Sequence, residues 1–429
     1  MKAASRPTFA PPSSRRAIVR GPGRFATGAV GPFQPSSTFV EALLSGGRAR
    51  RTLAERGLIE RSSADGLAED ADQLTELANL CFWTSLCAEE SRPVRGSLCL
   101  CSPDQAPLAF RLQRPEALTV KTLVALLTAA DTTSLAVHLG PQGLEIWGIL
   151  MWSPVYAMQI RIVGTGALVA TVDTELLAVL QEGIITVPKS ASETSWTEVV
   201  ARSIKTERPY GDRRVLSERL LRIVASMLRH GRGGTLVIVP TSDHSWQANV
   251  GFRFRFDDQG KAALRERIAA ADAAREEAEK TYRMAAARIR SLHDRDPQIM
   301  RLRLEAAMSH ARVVQSTLDA IGELSAVDGA LVLDDQLSVL GFGAKLHLEA
   351  ADFTVSVWNA LTGPVGEGLH VADLGGMRHQ SAARFVHEHS GAIAIVVSQD
   401  RRVTLFVWKD DARTVGAVRG LEHFVWGAT

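Results

Sequence analysis

The sequence predicts a chain of mixed α+β and α/β type: a C-terminal mixed sheet flanked by helices and split by a helical insertion, preceded by a smaller, strand-rich α+β domain. Three observations lead there. Short runs rich in branched residues, Thr235–Pro240 and Gly391–Ser398, have the length and composition of buried strands. A helical-period stripe leads into the first of them, in Leu216, Leu220, Ile223, Val224 and Met227. A polar stretch over 191–212 separates this pattern from an earlier series of strands punctuated by Gly and Pro.

Taken in order, residues 1–37 are rich in Pro, Ser, Gly, Ala and Arg and carry no acid, which predicts a disordered basic tail. No apolar core follows the charges, so the segment is not a secretory signal. Residues 38–93 read as helical: Ser36 and Ser37 are cap residues, and Leu67, Leu74, Leu77, Leu80 and Cys81 recur at helical intervals. Residues 94–190 form the small α+β domain. Gly96–Leu100 and Leu108–Leu112 are expected to pair around Pro103-Asp104, and Leu118–Thr128 to be a helix. Further strands are expected at Ser134–Leu139, Leu144–Leu150, Tyr156–Val163 and Ala167–Val172. Residues 191–212 read as a linker and 213–425 as the second domain, with a helical insertion over 258–310. The alternating Phe252–Phe256 predicts a strand. The Ala-, Arg- and Glu-rich insertion predicts a surface helical hairpin broken at Pro297.

Composition narrows the class without naming a chemistry. The 429 residues hold 49 Lys and Arg against 47 Asp and Glu, with 46% hydrophobic and 22% charged residues. This excludes collagenous, wholly disordered and polybasic nucleic-acid-coating chains. No run approaches the roughly eighteen apolar residues of a spanning helix, so a cytoplasmic protein with no membrane partner and no strong nucleic-acid partner is expected. Cys81, Cys87, Cys99 and Cys101 are spaced by five, eleven and one residues, unlike the paired Cys-x2-Cys of structural metal sites, and read as reduced thiols.

Two loops carry candidate chemistry. Asp328-Gly329-Ala330 sets a carboxylate at a strand entrance, followed by two small residues that leave room for a ligand; such an Asp either holds Mg²⁺ beside substrate phosphates or caps its own turn. Gly375-Gly376-Met377-Arg378-His379-Gln380-Ser381 opens a helix. Its glycines admit an anion to the backbone, the helix start offers free N–H groups, and Arg378 and His379 can bind phosphate. An ordinary helix start with surface charges is the plain alternative.

The two loops in this order resemble the diadenylate cyclase (DAC) domain family. The correspondence runs from Leu216–His230 and Gly233–Val239, through Asp328-Gly329-Ala330 and Gly376–Gln380, to Ile395–Asp400, and covers about 213–410 apart from the insertion. The resemblance implies condensation of two ATP to cyclic di-AMP and pyrophosphate by a face-to-face homodimer. It implies Asp328 as the catalytic residue and ligand of Mg²⁺ or Mn²⁺. Gly329, Ala330, Gly375, Gly376, Arg378, His379, Gln380 and Ser381 would then bind the nucleotide. Where the family's loop has Thr and a second Arg, this chain has Met377 and Gln380; Val327 replaces a His and Gln399 a Glu. Arg229-His230-Gly231 with Thr235–Pro240 is also similar to DAC-related sensor domains, which bind a nucleotide without making one. The expected function is therefore a sensor of an adenine nucleotide or cyclic dinucleotide. The alternatives are an active diadenylate cyclase and an interaction protein with a decayed site.

Overall fold

The computed structural model describes residues 37–55 and 70–425, apart from 107–108, 129–132, 142, 151–152, 155–156, 173–174, 189–199, 202–209, 287–296, 350 and 367. The expected basic tail lies outside them except for Ser37, which opens helix α1 (Ser37–Glu55). Helix α2 (Ala71–Ser85) follows, its first turn held by the Asp70 carboxylate, which accepts from the Asp72 and Gln73 amides at 2.9 and 3.1 Å.

The first sheet consists of β1 (Gly96–Leu100), β2 (Phe110–Ala117), β3 (Ser134–Gly140), β4 (Gly143–Leu150), β5 (Met158–Gly164), β6 (Ala167–Val172), β7 (Glu175–Gln181) and β8 (Ile184–Thr186). Its order is β8-β7-β6-β5-β1-β3-β4-β2. Helix α2 packs on β5 and β6, α1 on β7, and α3 (Val120–Leu127) on α2. The expected pairing of Gly96–Leu100 with Leu108–Leu112 does not occur. The buried β1 lies parallel to β3 and antiparallel to β5, whereas β2 pairs with β4 at the far edge. Pro115 explains the edge position, since it has no N–H to give a second neighbour, and the ladder shifts register between Arg111 and Glu116. All four cysteines are free thiols, and burial pushes Cys81 up to about 12.

The second sheet is built on β9 (Gly234–Val239), β10 (Ala330–Asp334), β11 (Val339–Leu346), β12 (Thr354–Asn359), β13 (Ile393–Val397), β14 (Val403–Lys409) and β15 (Thr414–Arg419). Its order is β11-β10-β9-β13-β14-β15-β12, with two-residue strands at the edges. β9 is parallel to β10 and antiparallel to β13, so the sheet is mixed. Every residue of β9 is buried because both faces are covered. Leu236 and Ile238 join the core beneath α4 (Tyr210–His230) and α6 (Pro297–Glu323), while Val237 and Val239 join the core beneath α7 (Met377–Glu388). Burying Phe385 of α7 alone contributes roughly 1.5–3 kcal/mol.

The insertion extends further than expected: α5 (Asp258–Ala286) packs along α6, which starts at Pro297 and runs to Glu323. Its base is no surface appendage. Ile268 and Ala271 enter the core with Val314 and Leu318, and Asp272 takes Arg219 at 2.6 Å and His310 at 2.8 Å. Within the expected linker, Val200 and Ala201 are described and buried, Val200 against the second domain's core. The expected Phe252–Phe256 strand shortens to Phe254–Arg255 on the edge of β11, where Phe254 stacks on Phe342 at 4.9 Å. No helix among the described residues is long and apolar enough to cross a membrane.

Candidate functional site

Three structural pieces position Asp328. The Arg229 guanidinium reaches the Asp319 carboxylate, and His230 meets the Ser325 hydroxyl at 2.9 Å. Both contacts tie the end of α4 to the end of α6 and the short turn that delivers Asp328 to the mouth of β10. Gly329 then takes φ +116°, and a Cβ there would lie 2.5 Å from the Gly343 carbonyl carbon. Ala330 is buried as the first residue of β10. The adjoining sheet therefore accounts for both small residues without a ligand. Asp328 itself is almost fully exposed, with 96% of its side chain accessible.

The second loop meets it there. Arg378, in the first turn of α7, brings Nη2 to 3.8 Å from Asp328 Oδ1, and its Nη1 donates to the Arg232 carbonyl at 3.5 Å. Gly233 makes this approach possible, since a Cβ would lie 2.9 Å from Arg378 Nη1 and 2.8 Å from the Val397 carbonyl. Gly375 supplies a left-handed turn at φ +120°, whereas Gly376 has φ −66° and open space where a Cβ would lie. As N-cap of α7, Gly376 offers no side-chain acceptor to the helix amides.

Gln380 and Ser381 turn inward. The Gln380 amide donates to the Ala372 and Gly375 carbonyls at 3.0 Å each, and Ser381 Oγ donates to the Arg378 carbonyl at 3.1 Å. Where a second arginine would extend the loop's charge, Gln380 braces the loop's own backbone. Met377 is 86% exposed.

A cavity of about 860 Å³ opens against Gly376, Arg378 and His379, a size that suits a small-molecule ligand. Asp328, Gly329, Ala330, Gly375, Gln380 and Ser381 are outside its lining; Asp328 adjoins it through Arg378. Sequence reasoning missed Arg402, Arg419, Glu422 and His423, which also line it, and the β7–β8 hairpin that forms the opposite wall. The hairpin had a readable signal in Leu176–Leu180 followed by Glu182-Gly183. The single Arg and His residues had none.

Burial lowers the His379 pKa, reinforced by Arg419 and opposed by Asp400, which favours the neutral ring. His379 sits edge-on to Phe406 at 6.1 Å. Deeper in, the His423 and Glu422 side chains approach to 3.7 Å, close enough for an ion pair. Burial opposes charge on both: His423 falls to about 4, with Arg402 adding to the effect, while Glu422 is raised. We therefore read the contact as one in which the His ring is neutral. Above its ordinary value of 6.5, His423 is neutral in the folded and unfolded states alike. As pH falls from there to about 4, the unfolded chain takes up the proton and the folded one does not, so stability declines across that window. Its full size for this residue is about 3 kcal/mol. Urea titrations at pH 7 and 4.5 should show His423→Gln losing less stability than the wild type by most of that amount.

Residues 65–151 match a family described as "Probable sensor domain DACNV". The match takes in α2 and the strands through β4, so this part of the chain is similar to a sensor domain; the β7–β8 hairpin and the second sheet lie beyond it. No curated protein and no solved structure matches the chain.

Proposed function

We propose that the chain is a sensor that binds a phosphate-bearing adenine nucleotide on its C-terminal domain. The carrying observation is that Arg378, Arg402 and Arg419, with His379, line one cavity together with Gly376, the N-cap of the twelve-residue helix α7. Guanidinium forks match phosphate oxygens two at a time, and a helix start adds free N–H groups and a favourable dipole. The adenine rests on the resemblance to DAC domains. Among the described residues no group of three His, Cys, Asp or Glu side chains could hold a metal alone. Asp328 thus suits Mg²⁺ or Mn²⁺ only as one carboxylate beside nucleotide phosphates, where the ion would neutralise their charge. Gln380, spent on bracing the loop, leaves one cation fewer for the transition state of a transfer reaction, which favours sensing over synthesis.

Incubation with ATP and Mn²⁺ should raise the unfolding midpoint, by the equivalent of about 2.7 kcal/mol at one hundred times the dissociation constant. Chromatography of the same mixture should show no cyclic di-AMP. A product peak lost in Asp328→Asn would make the chain a diadenylate cyclase, working as a homodimer. If neither product nor stabilisation appears, nucleotide binding is overturned.

A further inference from the structure

We infer that the β7–β8 hairpin of the N-terminal sheet caps the ligand site and that Glu182 occupies the place of a ligand phosphate, so that nucleotide binding and release of the hairpin are one event; this rests on the nucleotide reading above. The cavity has two walls from distant parts of the chain. One is the hairpin, through Val179, Gln181, Glu182, Ile184 and Thr186; the other carries Arg378, His379, Arg402 and Arg419.

The hairpin is a rigid device. Gln181 pairs with Ile184, and the two residues between them, Glu182 at φ +53° and Gly183 at φ +77°, are both left-handed. That is the geometry of a tight two-residue turn that matches strand twist. The turn carries the Glu182 carboxylate to 3.6 Å from Arg402 Nη2. Asp400 reaches Nε of the same guanidinium at 3.8 Å, and Asp328 lies 3.8 Å from Arg378 Nη2. Each of these arginines is thus matched with an exposed carboxylate, the weakest kind of counterion, which a polyphosphate can displace.

Two further observations mark the contact as a ligand-bearing joint. The root of the hairpin meets the second domain through a small apolar cluster, Val169, Val179 and Leu361, with Phe424 packed against it. This cluster places an apolar contact between the two sheets at the base of the hairpin. Beside Phe424, and lining the cavity, His423 is 6% exposed, and its Nδ1 has no hydrogen-bond partner among the described residues. Buried ring nitrogens are ordinarily paired, and a ligand group reaching this depth would supply the missing partner.

The test is calorimetric titration of the full chain with ATP, alongside hydrogen exchange of the amides over 181–186. Glu182→Gln should bind ATP about two- to fivefold more tightly, the affinity equivalent of one exposed ion pair. Arg402→Gln should bind about tenfold more weakly, as expected on losing a charged hydrogen-bond donor. In the wild type, saturating ATP should speed exchange at the hairpin tip. If Arg378→Ala abolishes binding while Glu182→Gln and Arg402→Gln behave as wild type, the shared site is overturned and the nucleotide reading stands. Slower exchange at the tip overturns displacement. Absence of ATP binding by both wild type and Glu182→Gln overturns the nucleotide reading and this inference with it.

Discussion

Arg378→Ala should lower affinity for ATP by about tenfold to over a hundredfold while leaving the fold intact. A hydrogen bond between charged groups is worth about 1.5–3 kcal/mol, and Arg378 is the guanidinium closest to the free amides of α7 in sequence. Little in the protein itself depends on it. Its Arg232 contact, at 3.5 Å, is at the limit of a hydrogen bond, and its Asp328 partner is 96% exposed, so the pair adds no more than about 1 kcal/mol to stability. Calorimetry with ATP and urea unfolding of the same preparation separate the two effects. Arg378→Lys should fall between, since it keeps the charge and loses the planar fork. A loss of more than about 2 kcal/mol in stability would show that the side chain holds the loop together, and the binding role would fail.

How far the sequence could be read depended on where burial is two-sided. Thr235–Val239 and Ile393–Val397 are covered on both faces, so they appear as unbroken apolar runs, and the stripe of α4 beside them is equally plain. Strands at the edges gave weaker signals. The wrong partner for Gly96–Leu100 came from assuming that neighbours in sequence pair; the sheet instead sends Phe110–Ala117 to its far edge. Asp328 and Arg378 are separated by forty-nine intervening positions, and only their order beside the right strands suggested that they meet. Arg402, Arg419 and His423 carry no local pattern, because a cavity assembled from strand ends and a distant hairpin leaves no fixed spacing. The near-neutral composition has a local counterpart at this site. Arg378 and Arg402 stand beside Asp328, Asp400 and Glu182, so an anion site can form with no basic surplus in the chain.

Gly329→Ala should cost roughly 2–4 kcal/mol of stability, and its neighbour in function, Gly376→Ala, no more than about 1 kcal/mol, the cost of Ala at an N-cap. At Gly329 two penalties add. The backbone has φ +116°, which an L side chain rarely adopts, and the new methyl would lie 2.5 Å from the Gly343 carbonyl carbon and 2.8 Å from the Ala344 nitrogen. Those atoms belong to the paired strand β11 and cannot rotate away as a side-chain tip could. At Gly376 the φ is −66° and nothing lies within 4 Å of the added carbon. The pair of substitutions therefore distinguishes two reasons for a glycine beside the same site. If Gly329 serves the sheet, urea unfolding of Gly329→Ala shows the loss with ATP absent, and Gly376→Ala loses only the smaller N-cap cost. The larger effect of Gly376→Ala should then appear in ATP affinity, because the methyl would stand at the start of α7 where phosphate would approach. Equal stabilities for Gly329→Ala and the wild type would return Gly329 to the ligand, and close packing against β11 would no longer explain why the Asp-Gly-Ala turn is built from small residues.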